Sequence, residues 1–149
     1  MTSPRWAYAA ALWALLFALP SFYWAFGGER GKGTIAAHPD DIALINEPAV
    51  VFLTGVAKIL GGFLMFAIAQ GSGGRGLRRW LRLLALVAGG FMLLYGGALL
   101  VQHLLMVAGV VDTPDSLGQR ASRWHLWLWD PVWVVGGILF LAAGRGARR

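Results

Sequence analysis

Three ionisable side chains, Lys58, His103 and Asp130, interrupt long apolar runs of this chain. A charge at membrane depth is costly, so by default it marks a functional site or a paired structural one. Lys58 lies about ten residues beyond Pro48, or about 15 Å at about 1.5 Å per residue, close to a bilayer midplane. Glu47, Thr54 and Lys58 return to one helix face, because spacings of seven and eleven residues close to within about 20°. Gln102 and His103 sit about eight residues inside the end of their run, with Tyr95 one heptad deeper, and Asp130 sits about six residues into the last run. His125 stands at that run's mouth. Lys58, His103 and Asp130 therefore fall at comparable depth, roughly 9–15 Å, on three different segments. The spacing predicts one polar pocket open to the outside, with Lys58 and Asp130 as its charge pair. Chemically, His103 suits general acid–base work near neutral pH and Lys58 suits stabilising an anion. The same residues also suit a purely structural role, a buried pair that sets helix register.

Around them lies a dense aromatic string, Trp124-His125-Leu126-Trp127-Leu128-Trp129-Asp130-Pro131-Val132-Trp133. Tryptophan favours the membrane interface, since its ring is apolar and its N–H needs a partner. That accounts for Trp124 and Trp127, whereas Trp129 and Trp133 sit deeper and suit the pocket wall, as does Trp24 at the end of the first run. Pro131 disfavours helix at the residue before it. The expectation is that Asp130 caps a helix starting at Pro131, with the Trp-rich piece bent or re-entrant. Pro20 is expected to kink the approach to Tyr23 and Trp24. In the first long polar segment, His38-Pro39-Asp40-Asp41 could form a carboxylate–imidazole metal site. Those residue types more readily make a turn or cap a short interfacial helix, and no metal ligand is assigned. The ligand-binding set is thus Trp24, Glu47, Lys58, Gln102, His103, Trp129, Asp130 and Trp133, with His103, Asp130 and Lys58 as the catalytic candidates.

The elements that must position these residues are transmembrane helices. Of 149 residues, 58% are hydrophobic and 13% charged, against about 25% charged in ordinary soluble domains. The mean hydropathy is +0.62. With 21 glycines and 8 tryptophans, this excludes a disordered chain and a water-soluble domain. The absence of cysteine excludes disulfides, thiolate metal sites and dithiol redox chemistry. About 20 apolar residues cross a hydrocarbon core, and four stretches qualify: about 6–26, 48–69, 80–111 and 124–143. The third exceeds one crossing and should tilt or project. The fold class is all-α, one polytopic membrane domain over 1–149, with four helices in an antiparallel bundle. The first stretch could pass for a signal peptide after Arg5, but its length and the lack of a small-x-small site near Pro20-Ser21 make it a retained helix.

Basic residues orient the chain. With the N-terminus cytoplasmic, the inner side holds Arg5, Arg75, Arg78, Arg79, Arg82, Arg145, Arg148 and Arg149, and the outer side Arg30, Lys32, Arg120 and Arg123. Both termini are expected in the cytoplasm and the protein in the cell (inner) membrane. The sequence pI of about 10.8 then reflects topology and contacts with anionic lipid rather than nucleic acid. Membrane helices associate through small residues. Gly55 with Gly62, Gly89 with Gly96, Gly90 with Gly97, and Gly136 with Ala143 are each a heptad apart, which favours a left-handed bundle.

Two strings are distinctive together: Tyr23-Trp24-Ala25-Phe26-Gly27-Gly28 and Trp129-Asp130-Pro131-Val132-Trp133. With four spans in about 150 residues, the chain resembles a family of small bacterial membrane proteins, common in actinobacteria and catalogued as a domain of unknown function. The resemblance implies four transmembrane helices and carries no activity. Quinone-linked thiol oxidases need cysteines, and a di-haem bundle needs paired axial histidines where only His103 lies well inside a span. Small multidrug exporters use a Glu in the first helix, which is lacking here. Gly71-Ser72-Gly73-Gly74-Arg75-Gly76 has no Walker lysine after it and reads as a turn. No cofactor is implied. The leading function is a module that binds a small amphipathic or lipid-like ligand. The alternatives are a membrane enzyme acting on an isoprenoid-like substrate, an accessory subunit and a transporter component. Partners are membrane lipid, the amphipathic ligand, and a second copy or another membrane protein.

Overall fold

The computed structural model describes residues 4–145. Arg148 and Arg149, counted above toward the inner side, lie outside the described residues. The chain forms α1 (Arg5–Ala25), a 3-10 turn (Lys32–Thr34), α2 (Asp41–Ile45), α3 (Pro48–Ala69), α4 (Arg75–Val107), α5 (Gly118–Trp124), a π-helical turn (His125–Trp129) and α6 (Asp130–Arg145). Among the described residues there is no strand. Four helical stretches are long and apolar enough to cross a membrane: Arg5–Ala25, Pro48–Ala69, Arg75–Val107 and Gly118–Arg145. Leu94, Phe63 and Leu60 are among many large apolar side chains that point outward. In water such a surface would be untenable, and in lipid it is the ordinary exterior.

The helix ends follow local chemistry. After α1, α3 and α4 the chain turns at Gly27, Gly71 and Gly109, all at positive φ. In each case the next residue's N–H reaches back five residues: Gly28 to Tyr23 O, Ser72 to Ala67 O, and Val110 to Leu105 O. This closure satisfies carbonyls that the helix leaves unpaired, and glycine makes it free of Cβ strain. It also corrects the third span. The expected 80–111 is shifted to Arg75–Val107, because the arginines are good helix formers and extend the first turns, while Gly109 stops the far end. The first helix runs through Pro20 as one element.

The last span differs most from expectation. The Trp-rich piece is not set off from the helix that follows, and Asp130 is not a cap; its φ of −68° and ψ of −44° are helical. The chain stays helical from Gly118 to Arg145 by widening one turn, so that the Asp130 N–H bonds to His125 O, five residues back. Proline in a regular α-helix collides with the carbonyl four residues earlier. A π turn just ahead of Pro131 relieves that collision without breaking the helix.

Helix α1 packs along α3, and α4 along α6; the two pairs meet chiefly through α1 and α6, and α3 touches α4 only lightly. Small residues set the first contacts. An alanine stripe on α1 (Ala7, Ala10, Ala11, Ala14) is buried with Met65, Ala85, Met92 and Phe140. Between α4 and α6 the backbones themselves touch: a methyl on Gly89 would lie 2.8 Å from Leu141 N, and one on Gly137 would lie 2.7 Å from Leu93 N. Gly55, Gly62 and Gly96 likewise abut a neighbouring helix. Gly90 and Gly97 do not; a methyl on either would meet no neighbouring atom within 4 Å, so their heptad spacing is not a packing seam. A second apolar cluster of Ala36, Leu117 and Ala121, with Ile42 and Ile45 against it, joins the two connecting segments opposite the arginine-rich end.

Candidate functional site

The π turn brings His125 and Asp130 side by side, and α4 delivers His103 to the same point. Asp130 and His103 are 0% exposed and His125 4%. His103 Nδ1 lies 2.8 Å from one carboxylate oxygen of Asp130, and His125 Nδ1 lies 2.9 Å from the other. An ionised carboxylate only accepts hydrogen bonds, so each Nδ1 donates its N–H to Asp130, and in a neutral ring each Nε2 then presents a lone pair. The two rings stack with centroids 4.5 Å apart and planes 21° from parallel. Both Nε2 atoms are buried and have no partner in the structure. One acid thus sets the tautomer of two imidazoles. The three side chains offer ligand atoms within 4.8 Å of one another, so they are the described residues able to hold a metal ion together.

Lys58 is elsewhere. Its Nζ donates to Ser21 Oγ at 2.8 Å and stands 3.9 Å above the centroid of the Phe17 ring. No ion pair joins it to Asp130 among the described residues, which overturns the expected charge pair. The reason is helix order: α3 packs on α1, while α4 packs on α6, so the lysine meets a serine and the aspartate meets histidines. A serine hydroxyl and a ring face leave the lysine charge without a counter-ion.

Between the two lies a cavity of about 540 Å³ where all four long helices converge. Trp24, Trp129 and Trp133 line it together with Lys58, Tyr95 and His125. Its aromatic wall is tightly keyed. The Trp24 Nε1–H donates to Arg30 O at 2.9 Å and the Trp129 Nε1–H to Thr34 Oγ1 at 3.2 Å, while the two indoles meet edge to face. Trp133 meets Phe17 and Tyr95 in the same manner. Trp127, by contrast, is 78% exposed on the outer face of the helix. Ile35, Asp41, Leu44 and Ile45 close the cavity at the end opposite the arginines.

Of the eight residues expected in the ligand-binding set, four line this cavity: Trp24, Lys58, Trp129 and Trp133. His103 and Asp130 lie behind His125 rather than on the cavity surface. Glu47 is exposed at the start of α3, and the half-buried Gln102 reaches toward His38, with Nε2 3.5 Å from Nδ1. The His38–Asp41 segment is a turn: an Asp41 carboxylate oxygen accepts from the backbone N–H of both Ala37 and His38. His125 was missed because a regular helix would turn it away from Asp130. The signal available was Pro131, six residues after a histidine and one after an acid.

At the opposite end, Arg75, Arg78, Arg79, Arg82 and Arg145 surround a second, open cavity of about 750 Å³, floored by Leu83 and Leu86. No curated protein and no solved structure matches the chain. A family model described as a protein of unknown function (DUF3995) matches residues 14–140, from the middle of α1 to the last turns of α6. The match takes in Lys58, the aromatic wall and the His103–Asp130–His125 cluster, and the chain belongs to this family.

Proposed function

We propose that the protein is a multi-pass protein of the cell (inner) membrane, a single antiparallel four-helix domain, which binds a small amphipathic ligand in the cavity between its helices. The observation that carries this reading is the cavity's composition: one cation without a counter-ion, Lys58, set in a wall of tryptophans. Ligand sites are mostly apolar with a few placed polar groups that fix orientation. Here Lys58 and Ser21 orient an anionic or hydrogen-bond-accepting head, and Trp24, Trp129 and Trp133 contact the apolar body. The ligand enters from the bilayer between α3 and α4, which touch only lightly. Both termini face the cytoplasm. The arginine-lined cavity then meets the phosphates of anionic lipid, and nucleic acid has no part.

The test is native mass spectrometry of the protein extracted gently from its own membranes, beside a Lys58→Met variant. A small mass carried by the wild type and lost from the variant supports the reading. A protein free of small ligands, or one carrying only bulk lipid or a second polypeptide, overturns it. Tryptophan emission that stays unchanged across a panel of lipids and quinones would also count against it.

A further inference from the structure

We propose that His103, His125 and Asp130 form a buried site for a divalent first-row transition metal, taken on the two histidine Nε2 atoms while Asp130 holds both rings. The inference stands apart from the amphipathic-ligand reading, since it concerns groups behind the cavity wall. Two things are missing from the cluster as the helices assemble it. The first is charge. With the carboxylate ionised and both imidazoles neutral, the group is a buried anion, and among the described residues no lysine or arginine pairs with it. The second is hydrogen bonding. Both Nε2 lone pairs are buried without a donor. Each omission is expensive in a water-free interior.

A proton would mend the charge alone. Placed on either Nε2, it creates an N–H with nothing to accept it and leaves the other lone pair bare. A divalent cation shared by both Nε2 atoms answers the charge and both lone pairs at once. The arrangement is also the one that metal-binding histidines use: the far nitrogen donates to a carboxylate, which fixes the tautomer and raises ligand basicity. Here a single carboxylate does this for two rings, at 2.8 Å and 2.9 Å. Two imidazoles without any thiolate select an ion such as Zn²⁺, Fe²⁺ or Cu²⁺ over Ca²⁺, Mg²⁺ or Cu⁺. Two ligands on a tetrahedral ion of this kind stand about 3.3 Å apart, given metal–nitrogen bonds of about 2.0–2.1 Å. The rings stack with centroids 4.5 Å apart and planes 21° from parallel, so to share one ion they must tilt toward each other until their Nε2 atoms converge, a movement that the wide turn at His125 can supply.

The test uses the full chain without a histidine tag, in detergent or nanodiscs, with Zn²⁺ and Co²⁺ as probes. Dialysis followed by elemental analysis is expected to leave one ion per chain, and bound Co²⁺ to give a visible spectrum distinct from that of the aqueous ion. His103→Gln and His125→Gln are each expected to lose the ion. Asp130→Asn should weaken it about 10–100-fold, and His38→Gln should leave it unchanged. Histidine ring NMR of the wild type during Zn²⁺ titration guards against variants that fail to fold: two rings should shift and His38 should not. Wild-type protein that retains no ion after dialysis, retention by the His103→Gln/His125→Gln double variant, or a shift confined to His38 would each overturn the proposal.

Discussion

Both carboxylate oxygens of Asp130 are committed, one to each of two buried histidines. Replacing Asp130 by Ala strands two buried N–H donors, and each stranded group costs about 1–3 kcal/mol. Thermal unfolding in detergent should show the Ala variant destabilised by about 2–5 kcal/mol. Asn should cost less, because its carbonyl accepts from one ring and its amide donates to the other once that ring changes tautomer. An Ala variant as stable as wild type would mean that the histidines find other partners. Lys58 is a contrasting case. Met keeps an unbranched apolar chain beside Phe17 and loses one hydrogen bond to Ser21 and the ammonium–ring contact, so Lys58→Met should move the unfolding midpoint little, by about 1 kcal/mol or less. A large loss would make the lysine a structural residue and weaken its assignment to a ligand head. Individual polar residues were readable from the sequence because lipid makes each one conspicuous. Their partners were not, since the contact of Asp130 with His125 depends on a turn geometry that spacing alone assigns to opposite faces.

Each span was readable in outline, since crossing lipid needs about 20 apolar residues whatever the neighbours are. What the sequence left open was which glycines face a neighbour. Gly89 and Gly90 are adjacent and identical in type, yet the first sits against the α6 backbone and the second against nothing. That difference makes a paired test. Gly89→Ala and Gly137→Ala force α4 and α6 apart and should destabilise by about 1–3 kcal/mol. Gly90→Ala and Gly97→Ala add a methyl in open space on a helix and should be neutral or stabilising by up to about 1 kcal/mol. Equal effects at all four positions would contradict the α4–α6 packing. The π turn can be tested in the same way. Pro131→Ala removes the collision that favours the wide turn, so the helix can tighten and carry His125 away from Asp130. The ring NMR of that variant should then keep one histidine N–H bonded to a carboxylate where the wild type has two; two retained bonds would mean that the packing of α5 holds the turn without the proline.

At the scale of the whole molecule, arginine is concentrated at one end and every acid but Asp130 lies in the connecting segments toward the other. Five arginines, Arg75, Arg78, Arg79, Arg82 and Arg145, gather around one cavity, while Glu29, Asp40, Asp41 and Glu47 precede α3 and Asp112 and Asp115 lie between α4 and α5. Four of those arginines occupy the first turns of α4, where the helix dipole is already positive and like charges three and four residues apart repel. Local helix energetics therefore do not explain their placement, whereas an anionic leaflet does: each such residue near a cytoplasmic surface gains about 1 kcal/mol. Attraction to an anionic leaflet predicts an orientation, and the lack of native cysteine makes it directly measurable. Ser72 lies in the short turn between α3 and α4, and Ser116 lies in the segment between α4 and α5. In intact cells, Ser116→Cys should react with a membrane-impermeant maleimide, while Ser72→Cys should react only after the membrane is opened. The reverse pattern would place the arginine cavity outside and remove the anionic-leaflet argument. Equal labelling of both would deny a single orientation altogether, and with it a cavity that faces one side of the membrane.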